Sequence, residues 1–296
     1  MTIKKTSNLS SPVGRVGAAI PNIFTLLNLF FGCIAIVFTL QTESVIIYVN
    51  DEFSGSSFNI PEKLTWAAIF IGIAAVVDFL DGFVARLLHA TSDMGKQLDS
   101  LADVVSFGVA PGVILYQLLR FSFARDENGL EVSMIWLIPA FVVSCAAAYR
   151  LAKFNLDETQ SYNFKGLPTP AVGLLIASFP LILHSDFNDS INAIILKKLI
   201  PSFPTESYSN FLNTLKSFII NKWFLYFLII LLSYLMISNI VFMGMKFKDY
   251  TIKNNLPKVI LILIAIISAV FLQWIAVPVI FISYFVLSLV NKNKLT

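Results

Sequence analysis

Histidine and cysteine are almost missing from this chain, with two of each in 296 residues, so neither a Cys/His zinc site nor a disulfide framework is open to it. Charge is scarce as well: Asp, Glu, Lys and Arg make up 13% of the residues, and the net charge of +3 is spread over the connections without a basic run. Nucleic acid is thereby excluded as an expected partner, because a phosphate backbone is held by clustered cations. No internal repeat, low-complexity linker or break in composition marks a second domain, and residues 1–296 read as a single unit.

What is abundant is apolar: 57% of the residues are hydrophobic, far above a soluble domain and in the membrane class. Runs of about 20 apolar residues, the length that crosses a bilayer, extend over Ile20–Leu40, Leu64–Leu88, Leu101–Leu119, Met134–Leu151 and Trp223–Met245. Thr169–Leu183 is shorter but unbroken, and Val259–Val290 is long enough for two helices divided at Pro278. The expected fold is therefore an all-α integral membrane protein, a single bundle of about eight transmembrane helices. The first run exceeds a signal-peptide core and lacks a small-residue cleavage site, so it reads as a retained helix. With an even number of crossings the termini share a side, and most of the 21 Lys and Arg fall on that side, which predicts cytoplasmic termini. Residues 184–222 are expected to form a long external loop with one surface helix, INAIILKKLI, and Cys33 and Cys145 to pack within helices.

Four aspartates interrupt this pattern. Asp78 and Asp81 are three apart near the cytoplasmic end of the second run, roughly 60° apart around a helix; Asp99 and Asp103 are four apart at the start of the third, roughly 40° apart. Each pair shares a face, and the residues from His89 to Gln97, with Gly95 as the turn, allow an antiparallel return that brings the faces together. Carboxylates at membrane depth cost several kcal/mol unless neutralised. Oxygen-only ligands favour hard ions such as Mg²⁺, Mn²⁺ or Ca²⁺, and two such ions form the clamp used in phosphoryl-group chemistry. Gly82 admits a bulky group close to the helix, Ala85 keeps the region open, and Arg86 offers a cation to a phosphate.

The full spacing runs Asp78, two residues, Asp81-Gly82, two residues, Ala85-Arg86, eight residues, Gly95, three residues, Asp99, three residues and Asp103. It resembles the signature of the CDP-alcohol phosphatidyltransferase family at every specified position. The resemblance implies a transferase that joins the phosphatidyl group of CDP-diacylglycerol to an alcohol and releases CMP. It further implies Asp78, Asp81 and Asp99 as ligands of two Mn²⁺ or Mg²⁺ ions and Asp103 near the metals as general base. Gly82, Ala85 and Arg86 would lie against the CDP moiety. The family also implies a homodimer in the plasma (inner) membrane, with the site at the cytoplasmic face.

Three further stretches, IPNIFTLLNLFFG, GKQLDSLADVVSFGVAP and YRLAKFN with FKGLPTPA, resemble the membrane-bound phosphatidylserine synthases within that family and imply L-serine as acceptor. Serine brings a carboxylate, for which Arg150 is the first candidate, with Lys165, Asn155 and Thr169 beside it. A phosphorylated acceptor, glycerol 3-phosphate or inositol phosphate, would want the same cations. The resemblance places Asn22, Thr25 and Asn28 near the nucleotide, while helix-to-helix hydrogen bonding is the competing reading of the three. Two other classes use aspartates in membranes: cation transporters, whose sites lie near the midplane, and prenyltransferases, whose two aspartate clusters are far apart in sequence. Here all four fall within residues 78–103.

Overall fold

The computed structural model describes residues 12–41, 61–88, 92–125, 132–156, 164–184, 205–244 and 252–291. They form an all-helical bundle with one short two-stranded bridge. Helix α1 spans Pro12–Leu40 and packs along α2, Glu62–Leu87. Pro61 precedes α2, Glu62 occupies its first turn and Arg86 its last, an arrangement that complements the helix dipole at both ends. Helix α3, Asp93–Asp103, begins where Ser92 accepts a hydrogen bond from the Gly95 amide at 3.0 Å. It runs through a π-helical turn, Val104–Val109, into α4, Ala110–Phe123.

Two 3₁₀ turns, Met134–Trp136 and Ile138–Phe141, lead into α5, Val142–Leu156. Strand β1 is Phe164–Lys165, and α6 is Thr169–Leu183. Helix α7, Thr205–Ile219, meets α8, Lys222–Ile237, at a 67° bend, where Asn221 caps α8 by accepting from the Trp223 and Phe224 amides. Strand β2, Val241–Phe242, pairs antiparallel with β1. Helices α9, Ile252–Leu272, and α10, Ala276–Val290, complete the described chain.

The centre is α4 and α6, both buried on nearly all sides, while α1, α2 and α9 leave apolar faces uncovered, as lipid-facing helices do. Close approach at the centre depends on missing side chains. A Cβ at Gly173 would sit 3.0 Å from the Phe107 backbone, and one at Gly32 would sit 2.9 Å from the Ser106 Cα. Small residues of this kind let membrane helices meet without a hydrophobic driving force.

Several expectations shift. Among the described residues, five segments are long and apolar enough to cross a membrane, or six with the bent α7–α8 pair, against an expected count of about eight that also includes shorter helices. The difference lies in α6, which at 15 residues spans only about 22 Å, and in Asn255–Val290, taken there as one segment. That segment breaks at Gln273, whose φ is 47°, and α9 and α10 pack on each other, which a straight helix cannot do. Pro278 instead sits in the first turn of α10, where a missing N–H costs nothing. The run Trp223–Met245 stays helical only to Ile237, because the chain then turns extended to pair as β2. Part of the expected loop is the amphipathic α7; INAIILKKLI lies outside the described residues, as do His89 and the 42–60 connection. Cys33 and Cys145 are exposed rather than packed inside.

Candidate active site

Asp78 and Asp81 stand on the last turns of α2, and Asp99 and Asp103 on α3. One carboxylate oxygen each from Asp78, Asp99 and Asp103 lies within 4.8 Å of the others. Asp103 is 7% exposed, and Asp78 and Asp99 are half-buried. Asp81 is buried and sits to one side of this trio, though still within electrostatic reach of Asp78 and Asp99. Oxygen ligands held at about 2.1–2.5 Å from a hard cation lie roughly 3–5 Å from one another, so the three-oxygen cluster has the spacing and chemistry to take a divalent ion. The arrangement repels itself without a cation.

Helix α1 braces the cluster. Thr25 donates its hydroxyl to Asp81 at 3.0 Å, and Asn28 donates its side-chain amide to Asp103 at 3.2 Å. Ser106, in the π turn just past Asp103, donates to the Asn28 carbonyl at 3.0 Å, which fixes the donor in turn. Extra-wide turns of this kind are common beside functional groups, because the added residue re-aims the side chains on either side. Two of the three polar residues expected near a nucleotide thus hold the aspartates, the helix-to-helix role. Asn22, the third, brings its side-chain oxygen beside Gly95, where an added Cβ would lie 3.1 Å from it.

Gly95 itself is not the turn between the pairs. It lies in the first turn of α3, and its missing side chain makes room for Ser92 and Asn22. At Gly82 a Cβ would meet only Arg86 Nη1 at 4.0 Å, so the α2 surface there is open, with Ala85 part-buried and Arg86 exposed beyond it.

Asp78 and Arg86 both border a largely apolar pocket of about 880 Å³. Its far walls are Pro168, Ala171 and Leu174 at the start of α6, and Leu261, Val277 and Tyr284 from α9 and α10.

Arg150, on α5, is 7% exposed and within electrostatic reach of Asp103. It donates from Nη1 to the Thr169 hydroxyl at 2.9 Å, while its Nε–H is buried without a hydrogen-bond partner among the described residues. Arg150 and Thr169 are therefore brought together, within electrostatic reach of Asp103. Asn155 instead ties α5 to α3, donating to Ser100 at 2.8 Å, and its side-chain oxygen has no hydrogen-bond partner among the described residues. Lys165 is exposed on β1. Sequence reading missed Ser106 and Tyr284, which appear as lone polar groups in apolar runs; only the fold reveals what they face.

The family model for CDP-alcohol phosphatidyltransferases matches residues 18–202. A CDP-diacylglycerol–serine O-phosphatidyltransferase of Helicobacter pylori strain J99 is 35% identical over 158 residues, 53% of this chain and 54% of that protein. The protein of that name in Bacillus subtilis is 38% identical over 122 residues, 40% of this chain and 64% of the relative. In Methanocaldococcus jannaschii the figure is 40% over 126 residues, 43% of this chain and 56% of the relative. The chain thus spans between about half and two thirds of the length of these relatives.

Proposed function

The chain belongs to the CDP-alcohol phosphatidyltransferase family, and we propose that it transfers the phosphatidyl group of CDP-diacylglycerol to the hydroxyl of L-serine, giving phosphatidylserine and CMP. The observation that carries this reading is the convergence of Asp78, Asp99 and Asp103 within 4.8 Å, with the buried Arg150 guanidinium alongside. The names of the relatives support serine as the acceptor. A cation transporter has no comparable support.

In this proposal Asp103 takes the proton of the serine hydroxyl as its oxygen attacks the phosphorus carrying the diacylglycerol. The new P–O bond forms as the bond to CMP breaks, with no covalent enzyme intermediate. Asn28 keeps the Asp103 carboxylate aimed, and Thr25 does the same for Asp81. Two Mn²⁺ or Mg²⁺ ions, held among Asp78, Asp81, Asp99 and Asp103, would supply the Lewis acidity that neutralises the pyrophosphate and improves CMP as a leaving group. Arg86, with the open surface at Gly82 and Ala85, receives the CDP moiety, with Asn22 nearby. The apolar pocket beyond Asp78 and Arg86 suits the acyl chains.

Arg150 meets the serine carboxylate through its Nε–H, which has no hydrogen-bond partner among the described residues, with Thr169 fixing the guanidinium. Lys165 and Asn155 border the same region. We further propose that residues 1–296 act as one domain with eight crossings, counting α6 and both helices of the α9–α10 pair. The termini and the site then face the cytoplasm at the inner membrane, and the enzyme works as a homodimer.

The test is CMP release by the purified protein in detergent, with CDP-diacylglycerol, Mn²⁺ or Mg²⁺, and serine, glycerol 3-phosphate, inositol or inositol phosphate in turn. Metal-dependent release with serine alone is the expected result. Release with a different acceptor keeps the family chemistry and discards serine, and silence with all four overturns the reading. Within the serine reaction, Arg150→Ala should raise the serine KM by about 10–100-fold, the loss of a charge-assisted contact. The KM for CDP-diacylglycerol should move much less, and an equal rise in both would take Arg150 out of the acceptor pocket.

A further inference from the structure

Helix α10 lies outside residues 18–202, the part that matches the family, yet it reaches the candidate site. Tyr284 is 8% exposed and lines the same pocket as Asp78 and Arg86. Its hydroxyl donates to the Met243 carbonyl at 3.0 Å. One turn further along α10, Ser288, which is fully buried, accepts from the Met243 amide at 3.3 Å. Both backbone groups of Met243 are therefore gripped from a single helix face, and the Tyr284 ring stacks on that of Phe242 at 6.0 Å.

Met243 follows β2 directly, and from there hydrogen bonds lead back toward Arg150. Phe242 and Val241 pair with Phe164 and Lys165 of β1. Gly166 donates its amide to the Ile240 carbonyl at 2.9 Å, and Leu167 donates to the Leu235 carbonyl at 3.0 Å. Gly166 has φ of 81°, and a Cβ there would collide with the Met236 carbonyl, so this segment has one way to lie. Pro168 then fixes the entry to α6, whose first residue is Thr169, the hydroxyl that accepts from Arg150. A second tie runs alongside: Lys153, one turn after Arg150 on α5, donates to Asn239 at 2.9 Å.

We propose that Tyr284 and Ser288 are positioning residues for the acceptor subsite: by holding Met243 they seat the β1–β2 bridge, and the bridge sets Thr169 and so the direction of the Arg150 guanidinium. A long arginine side chain has many rotamers, and this one is anchored by its hydrogen bond to the Thr169 hydroxyl, so a shift of Thr169 moves the charge itself. The C-terminal helices thereby tune the acceptor end of a site whose metal-binding end is built by α2 and α3. This inference rests on the serine-transfer reading.

The test begins with the unmodified protein and the acceptor that supports its CMP release. Tyr284→Phe keeps the ring and removes the hydroxyl. The expected result is a rise of about tenfold in the acceptor KM, the scale of one buried hydrogen bond, with the KM for CDP-diacylglycerol moving less than about threefold. In an Arg150→Ala background the same change should add nothing, because the relay acts through the guanidinium. Ser288→Ala should repeat the pattern and serves in place of Tyr284→Phe if that variant does not fold. An unchanged acceptor KM, equal rises for both substrates, or additivity with Arg150→Ala overturns the positioning role while leaving the transfer reaction standing. An unmodified protein silent with every acceptor overturns the transfer reading, and the positioning role with it.

Discussion

Asp103→Asn is expected to lower the rate of CMP release by about 10³-fold, the middle of the range for losing a general base. The substitution keeps the shape and one side-chain oxygen, and the Asn28 contact at 3.2 Å falls on a position that still offers an acceptor. Binding of CDP-diacylglycerol should therefore persist, which separates loss of the base from loss of the site. Direct binding of the nucleotide-lipid, measured beside turnover, checks both halves. A variant that retains near-normal turnover would remove Asp103 from the role of base and leave it as a supporting carboxylate.

Asp78→Ala and Asp99→Ala are expected to act differently, by dismantling the cluster. Each removes one of three oxygens that lie within 4.8 Å of one another. Loss of groups that merely support metal ligands costs about 10–100-fold in metal affinity or activity, so loss of a ligand should raise the metal concentration for half-maximal CMP release by about 100-fold or more. Titrating Mn²⁺ and Mg²⁺ against CMP release for each variant gives the shift directly. Full activity of the unmodified protein in excess chelator would discard the metal-assisted mechanism altogether. The two substitutions also relieve repulsion between buried carboxylates, so each variant should fold at least as well as the parent without metal, and thermal unfolding in detergent checks that inactivity is not misfolding.

The aspartate geometry was legible because it is local. Spacings of three and four on a helix place Asp78 with Asp81 and Asp99 with Asp103 on common faces whatever the rest of the chain does. The short return between α2 and α3 left little freedom in how those faces meet. The trio that converges, however, is Asp78, Asp99 and Asp103, and Asp81 turns aside toward Thr25. That choice depends on where α1 lies, and nothing within residues 78–103 encodes it.

Hydropathy likewise gave the helical class and most segments, but not their ends. The break at Gln273 rather than Pro278, and the end of α8 at Ile237, follow from tertiary packing: α10 folds back on α9, and the β1–β2 bridge claims residues that are apolar enough to continue a helix.

By itself, then, the amino-acid sequence determined a helical membrane protein with a carboxylate motif suited to hard cations, since burial of apolar runs and helical periodicity act over a few turns of chain. Only the tertiary structure decided which carboxylates converge, that Arg150 stands beside them on the Thr169 hydroxyl, and that Tyr284, far along the chain, lines the same pocket. These are contacts between residues far apart in sequence, and their partners are selected by how whole helices pack, a property no local pattern carries.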